Sequence, residues 1–253
     1  MHLCTGVVLG GAVALLGRLG VSRPWLPRLV TWWHRRLGRC LGISVVYRGV
    51  AAPGALLAVN HVSWLDIPML GGAAPVSFVS KAEVRSWPVV GWLAELADTL
   101  FLRRGAHEAN SIATQIAARL QMGCRVAIFP EGTTSDGRAL LPFHARLFAA
   151  AAAVSGAPVQ PVAIRYGWGR QPDAVAPFIG DDSLLAHLTR VLRHPELGAT
   201  VSFLPPLTAN GLSRRELAAA VRTAIAAELN CLPLDGDAGQ TLRPKASGAA
   251  ASA

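Results

Sequence analysis

Short β-branched runs bounded by turn residues alternate along this chain with longer segments of helical period. That alternation limits the possible folds more than any single motif does. The strand candidates are 43–48 (ISVVYR), 55–60 (ALLAVN), 76–80 (VSFVS), 99–102 (TLFL), 125–129 (RVAIF), 158–166 (PVQPVAIRY) and 200–204 (TVSFL). Helix candidates lie near 66–73, 87–97, 107–122, 143–155, 182–194 and 213–230. The last opens on Ser213, with Glu216 at the spacing of a capping box. Strands that read apolar throughout imply a sheet covered on both faces. Pro161 cannot donate to a ladder, so its strand is expected to meet an edge or a bulge there.

Charge and hydropathy divide the chain. It has 253 residues, 52% of them apolar, and a net charge of +9 from 24 basic and 15 acidic side chains. Mean hydropathy is +0.38 and the pI about 10.6. A basic, apolar-rich chain suits either nucleic acid or an anionic membrane surface. The distribution favours the membrane. Arg18, Arg23, Arg28, Arg35, Arg36 and Arg39 crowd the first forty residues among Trp25, Trp32 and Trp33, and no acidic residue precedes Asp66. The apolar run 3–17 is shorter than the roughly 20 residues a full crossing needs. It predicts a membrane-embedded helix followed by an amphipathic interfacial one over about 24–41, with a short signal-anchor span as the alternative.

The expected fold is therefore α/β: a mixed, largely parallel sheet covered by helices on both faces, after an N-terminal membrane-associated helical segment. Residues 1–41 form that segment, 42–232 the α/β domain, and 233–253 a tail with no periodicity and little to bury. Gly6 and Gly10 have the spacing of a helix-packing seam, which a glycine-rich stretch also produces by chance. Cys4, Cys40, Cys124 and Cys231 form no C-x-x-C pair and read as small apolar residues.

Several motifs carry possible chemistry. In 60–66 (NHVSWLD), His61 falls where the apolar run 55–60 ends, and Asp66 opens the next helix with Pro68 in its first turn. A carboxylate on one ring nitrogen fixes the tautomer and leaves the other nitrogen to take a proton, as deprotonation of a hydroxyl requires. The plainer alternative is a capping aspartate beside an unremarkable histidine. Ser63 has no G-x-S-x-G elbow, which argues against a serine hydrolase. Arg103 and Arg104 close the 99–102 run as an anion clamp or simply as an exposed pair. Residues 128–137 (IFPEGTTSDG) could cradle phosphate or an oxyanion, or form an ordinary turn. Glu131 repels phosphate, so it is expected to orient an arginine or receive a hydroxyl. Lys81 and Arg85 add cations that a solvated face would also explain. The apolar neighbours of Pro161 could line an acyl-chain groove or belong to the core.

In order and spacing, NHVSWLD, SKAEVRSWPVVGWLA, TLFLRRG, FPEGTTS and VQPVAI resemble the blocks of the 1-acylglycerol-3-phosphate acyltransferase family, the PlsC-like lysophospholipid acyltransferases. The resemblance covers about 43–166. Asn60, His61 and Asp66 match the first block, Phe101 and Arg104 the second, Phe129 to Thr133 the third and Pro161 the fourth. It implies an O-acyltransferase that moves a fatty acyl group from an acyl carrier protein or coenzyme A thioester to a lysolipid hydroxyl. The favoured acceptor is 1-acylglycerol-3-phosphate, giving phosphatidic acid, and lyso-ornithine lipid is the alternative. His61 is the implied general base and Asp66 its orienter. Asn60, Lys81, Phe101, Arg104, Glu131, Gly132, Thr133 and Pro161 are the implied substrate-binding residues. No metal, cofactor or nucleic acid is expected, and the implied location is the inner membrane with the catalytic domain facing the cytoplasm. Two departures from the family pattern stand out. Asp98 occupies a position where glycine is common, and His144 and Arg146 replace a lysine and a glycine. From another class, a non-catalytic basic protein of a membrane surface or of nucleic acid would also explain the charge.

Overall fold

The computed structural model describes residues 2–18, 24–102, 106–168, 173–194 and 196–230. The expectations for Arg103, Arg104 and the 233–253 tail lie outside these residues. In chain order come α1 (His2–Arg18), α2 (Leu26–Cys40), β1 (Ile43–Arg48), β2 (Leu56–Val59), α3 (Asp66–Gly71) and β3 (Ser77–Lys81). Next are α4 (Ala82–Arg85), α5 (Val90–Leu96), β4 (Leu100–Leu102), α6 (Ala106–Gln121) and β5 (Val126–Ile128). A 3₁₀ turn (Ala145–Phe148) leads to α7 (Ala149–Ala153), then β6 (Pro158–Tyr166), α8 (Leu184–Leu192), β7 (Leu197–Phe203), β8 (Leu207–Thr208) and α9 (Arg214–Leu229).

The strands form one eight-stranded sheet in the order β1-β7-β6-β2-β5-β3-β4, with β8 also paired to β6. Among the described residues only the β6–β7 and β6–β8 pairings are antiparallel. The sheet is thus largely parallel, and alternate side chains of each strand enter two different cores. Leu56, Val126, Ile128 and Val159 meet Ile116 of α6, Phe148, and Leu217 and Val221 of α9. Leu57, Val59, Ala127 and Ile164 meet Leu65, Met69 and Leu70 around α3, and Val191 of α8. Each fully buried Leu, Ile or Phe contributes about 1.5–3 kcal/mol, so burial on both faces holds the sheet between its helices. The Ser213–Glu216 capping box opens α9 as the spacing predicts.

Four local expectations are corrected. Pro161 does not lie on an edge strand, since β6 is interior and Pro161 pairs with Ala58 of β2. On the other side the ladder is interrupted at Gln160 and Pro161, between the β8 and β7 pairings, as a missing donor predicts. There the Pro161 carbonyl accepts from Leu204 N–H, 3.0 Å. The reciprocal donor that proline lacks is replaced by Gln160 Nε2, 2.9 Å from the Leu204 carbonyl. The helix expected over 87–97 is α5 alone, which starts only after Pro88, while α4 before it was not expected; the helix over 143–155 begins as a 3₁₀ turn. Asp98 has φ +60, the left-handed region where glycine is free, which explains why glycine is common there. Its carboxylate is tied to Ser77 Oγ (2.8 Å) and to Arg119 (2.8 and 2.5 Å). Cys40 is exposed, unlike a small core residue.

The N-terminal helices pack on the domain. A Cβ at Gly10 would stand 2.6 Å from the Trp92 ring of α5, so Gly10 carries a close helix contact that chance spacing does not explain. Thr31, His34 and Gly38 form the buried stripe of α2, and Gly38 and His34 lie against Met69 and Gly71 of α3. Among the described residues no helix is long and apolar enough to cross a membrane.

Candidate active site

Strands β6, β2, β5, β3 and β4 run the same way, so their C-terminal ends line one edge of the sheet. Such an edge is where open α/β sheets bind ligands. His61 leaves β2 there, Phe129 to Thr133 leave β5, Lys81 ends β3 and Tyr166 ends β6.

The histidine–aspartate pair is formed. His61 Nδ1 lies 2.7 Å from Asp66 Oδ2. Asp66 is fully buried and opens α3, and its Oδ2 also accepts from Val62 N (2.8 Å) and Ser63 N (3.0 Å). Its Oδ1 accepts from Tyr166 Oη, 2.8 Å away. Asp66 is therefore held by the turn it closes and by β6. With Nδ1 donating to Asp66, the imidazole keeps Nε2 as its proton acceptor. Phe129 stacks on the ring, centroids 4.1 Å apart, and fixes its plane. The His61 side chain is 19% exposed.

The rest of the turn is tied down from three sides. Glu131 Oε1 accepts from His61 N (2.7 Å) and Oε2 from Leu141 N (3.0 Å). Burial raises the Glu131 pKa to about 7, against the pull of those two hydrogen bonds and with a smaller push from Asp66. Ser135 N donates to the His61 carbonyl (2.8 Å), and Phe178 N to that of Val62 (3.0 Å). Trp64 Nε1 donates to His187 Nδ1 (3.0 Å), and burial, then Arg190, lowers the His187 pKa. Burial, reinforced by Asp66, lifts the Tyr166 phenol well above its ordinary range, so it stays a neutral donor.

These contacts change the roles expected of several residues. Asn60 is 1% exposed and spends its carboxamide on Ile164, accepting from its N–H (2.7 Å) and donating to its carbonyl (2.9 Å). β2 ends at Val59 opposite Val162, so the Asn60 side chain supplies the next rung of the ladder and is not free for substrate. Glu131 holds two backbone N–H groups and also feels the charge of Arg222. Pro161 lies buried within the sheet. Gly132 has φ +71, and a Cβ there would meet the His144 ring at 2.9 Å, so glycine is required twice over. This places the departing His144 against the site's own turn. Thr133 is exposed and has no hydrogen-bond partner among the described residues. Lys81 is exposed, and Phe101 lies under the Arg85 guanidinium, 5.9 Å from its ring centre. Arg104 lies outside the described residues. Sequence reasoning missed Tyr166, Ser135 and Phe178. For Tyr166 a signal existed: a phenol closing an otherwise apolar buried strand.

An imidazole fixed by an acid beside an exposed turn, with no serine hydroxyl hydrogen-bonded to its ring among the described residues, suits direct attack by a substrate hydroxyl. Ser63 Oγ is buried and unpartnered. Comparison with known proteins gives the family. The Acyltransferase family model matches residues 42–165, and the chain belongs to that family. It is an acyltransferase, which removes the non-catalytic reading. It is 47% identical over 223 residues to a lyso-ornithine lipid O-acyltransferase of Pseudomonas aeruginosa, covering 87% of this chain and 86% of that protein. It is 39% identical over 152 residues to a 1-acyl-sn-glycerol-3-phosphate acyltransferase of Neisseria meningitidis, covering 60% and 59%. The fold matches the crystal structure of the 1-acyl-sn-glycerophosphate acyltransferase PlsC of Thermotoga maritima with a TM-score of 0.63 at 21% identity, over 91% of this chain and 97% of that one.

Proposed function

We propose that this chain acylates the hydroxyl of lyso-ornithine lipid, drawing the acyl group from a thioester of acyl carrier protein or coenzyme A. One observation carries the acceptor: the likeness to the Pseudomonas lyso-ornithine lipid enzyme runs over 87% of the chain, far beyond the catalytic blocks. The motif resemblance favours 1-acylglycerol-3-phosphate. That second reading rests on the shorter Neisseria likeness, over 60% of the chain. The exposed Lys81 ammonium at the end of β3 suits the anionic head of either acceptor, carboxylate or phosphate, so the choice rests on the longer likeness.

In the proposed mechanism the acceptor hydroxyl donates its proton to His61 Nε2 as its oxygen attacks the thioester carbonyl. Asp66 holds Nδ1–H and balances the imidazolium that forms. The exposed turn at Gly132 and Thr133 faces the developing oxyanion. Collapse expels the thiolate, which takes the proton back from His61, leaving an ester and a thiol. No covalent enzyme intermediate and no cofactor enters. Both lipids reside in a membrane, so we assign α1 and α2 to the cytoplasmic face of the inner membrane, with the exposed Val8, Leu15 and Trp32 toward lipid.

The test is competition. Purified protein in detergent receives a labelled acyl thioester and both acceptors at equal concentration. Preferential consumption of lyso-ornithine lipid is expected, with His61→Ala slower by about 10²–10⁴-fold. Preference for 1-acylglycerol-3-phosphate would transfer the assignment to the second reading. Near wild-type turnover by His61→Ala would remove His61 from the chemistry.

A further inference from the structure

The outer side of α2 carries Arg28, Arg35, Arg36 and Arg39, and all four line one groove of about 360 Å³. Ala73 and Pro75, just after α3, form its opposite wall. Pockets of this size hold small ligands and head groups. Among the described residues none of the four arginines has an acidic partner: the ion pairs formed by arginine involve Arg48, Arg85, Arg119, Arg138 and Arg190. The sequence offers no acid before Asp66, whose carboxylate is spent in the catalytic turn. Four like charges on one helix face repel unless something anionic sits among them.

A second observation marks the place. Thr31 lines the same groove, is 9% exposed, and its Oγ1 has no hydrogen-bond partner. A buried hydroxyl without a partner costs about 1–3 kcal/mol, a cost that a small shift of the Thr31 side chain toward an acceptor in the groove removes. The walls are also fixed. Arg35 Nε donates to the Gly72 carbonyl, and the Arg36 guanidinium lies over the Trp32 ring, 5.7 Å from its centre. Trp32 is 47% exposed at the rim.

We propose that this groove binds the phosphodiester of an anionic phospholipid that is not itself a substrate. Thr31 Oγ1 donates to a phosphate oxygen, and the guanidinium groups of Arg28, Arg36 and Arg39 surround the others. The groove is separate from the catalytic edge: α3 begins there at Asp66, and the groove lies past its other end, at Ala73 and Pro75. The exposed Trp25 and Trp32 on the same helix favour a lipid head over free phosphate, because tryptophan settles at head-group level. The inference rests on the proposed membrane placement of α2.

Full-length protein in detergent is titrated with short-chain phosphatidylglycerol, phosphatidylcholine of the same chain length, and inorganic phosphate, following tryptophan fluorescence. Saturable one-site binding of phosphatidylglycerol is expected, weakened at least tenfold by Thr31→Val and by Arg36→Gln. The double variant Arg214→Gln/Arg215→Gln, which removes two charges on α9, is expected to bind as the wild type. Equal affinity for inorganic phosphate overturns the lipid assignment. Unsaturable binding, or an equal loss in the α9 variant, overturns the site. Flotation with neutral phosphatidylcholine vesicles reads membrane placement separately. Flotation without saturable binding sinks the groove alone, and failure to float sinks the placement on which it rests.

Discussion

At the scale of single residues, the His61–Asp66 pair is held in place by groups bonded behind it. Tyr166 donates to Asp66 Oδ1 from the end of β6, two strand positions beyond the Ile164 that Asn60 engages. Tyr166→Phe removes that donor while keeping the ring, leaving a buried carboxylate oxygen without one of its bonds. Hydrogen bonds to charged groups contribute about 1.5–3 kcal/mol. If about half of that is felt in the transition state, kcat falls roughly tenfold while KM is little changed. Steady-state kinetics check this, and a rise in KM at constant kcat would instead place Tyr166 in ground-state binding. Asp98 gives a second prediction. At φ +60 it bears left-handed strain, offset by Ser77 and Arg119. The exposed ion pair is worth at most about 1 kcal/mol. Asp98→Gly loses the ties and the strain together, whereas Asp98→Ala loses the ties and keeps strain of about 1–2 kcal/mol. Denaturant unfolding is expected to rank Asp98→Ala below Asp98→Gly, although alanine is ordinarily the less flexible residue.

At the scale of elements, hydrophobic period carried the sequence reading a long way, and its failures have physical causes. The runs at 43–48 and 158–166 are β1 and β6 to the residue, because apolar β-branched stretches closed by turns have few other uses. β8 is two residues long and too short to leave a period. That the strand of Pro161 stays interior despite its ladder break is not legible, because the missing donor is supplied by a neighbouring side chain, Gln160, through a contact 44 residues away in sequence. The same limit applied at the catalytic edge. His61 and Asp66 are local and legible, whereas the bond from Asp66 to Tyr166 spans 100 residues and is visible only once the sheet is assembled. Helix packing tests the element scale. A Cβ at Gly10 would stand 2.6 Å from the Trp92 ring and 3.1 Å from Leu93, so Gly10→Ala forces α1 away from α5. Overpacking of this kind costs about 1–3 kcal/mol. Trp92→Ala removes the obstacle, so the two changes should not add. A melting-temperature cycle is expected to show the double variant more stable than the sum of the singles predicts, and strict additivity would mean that the helices do not meet there.

At the scale of the whole molecule, two buried titratable groups on different elements set opposing responses to pH. Glu131, at the end of β5, has its pKa raised from 4.5 to about 7, chiefly by burial. Its folded form holds a proton that the unfolded chain has released, so its contribution to stability falls as pH rises from about 4.5 to 7. His34, inside α2, has its pKa lowered from 6.5 to about 4, again chiefly by burial. Here the unfolded chain takes up a proton that the folded form refuses, so stability falls as pH drops from about 6.5 to 4. Each swing amounts to about 3 kcal/mol. In the overlap between about pH 4.5 and 6.5 the two slopes have opposite sign and nearly equal size, so they cancel. His187, whose pKa burial also lowers, adds modestly to the His34 side. Wild-type unfolding free energy is therefore expected to be nearly flat across that window. Single substitutions should expose each slope in turn. Glu131→Gln leaves the histidine response, so stability should climb as pH rises from about 4.5 to 6.5. His34→Gln leaves the carboxyl response, so stability should decline over the same range. Urea unfolding of the three proteins at half-unit steps of pH decides the matter. Parallel profiles for both variants would mean that neither group is held as its burial requires, whereas tilts of opposite sign would show that His34 in α2 and Glu131 at the candidate site set the two opposing slopes.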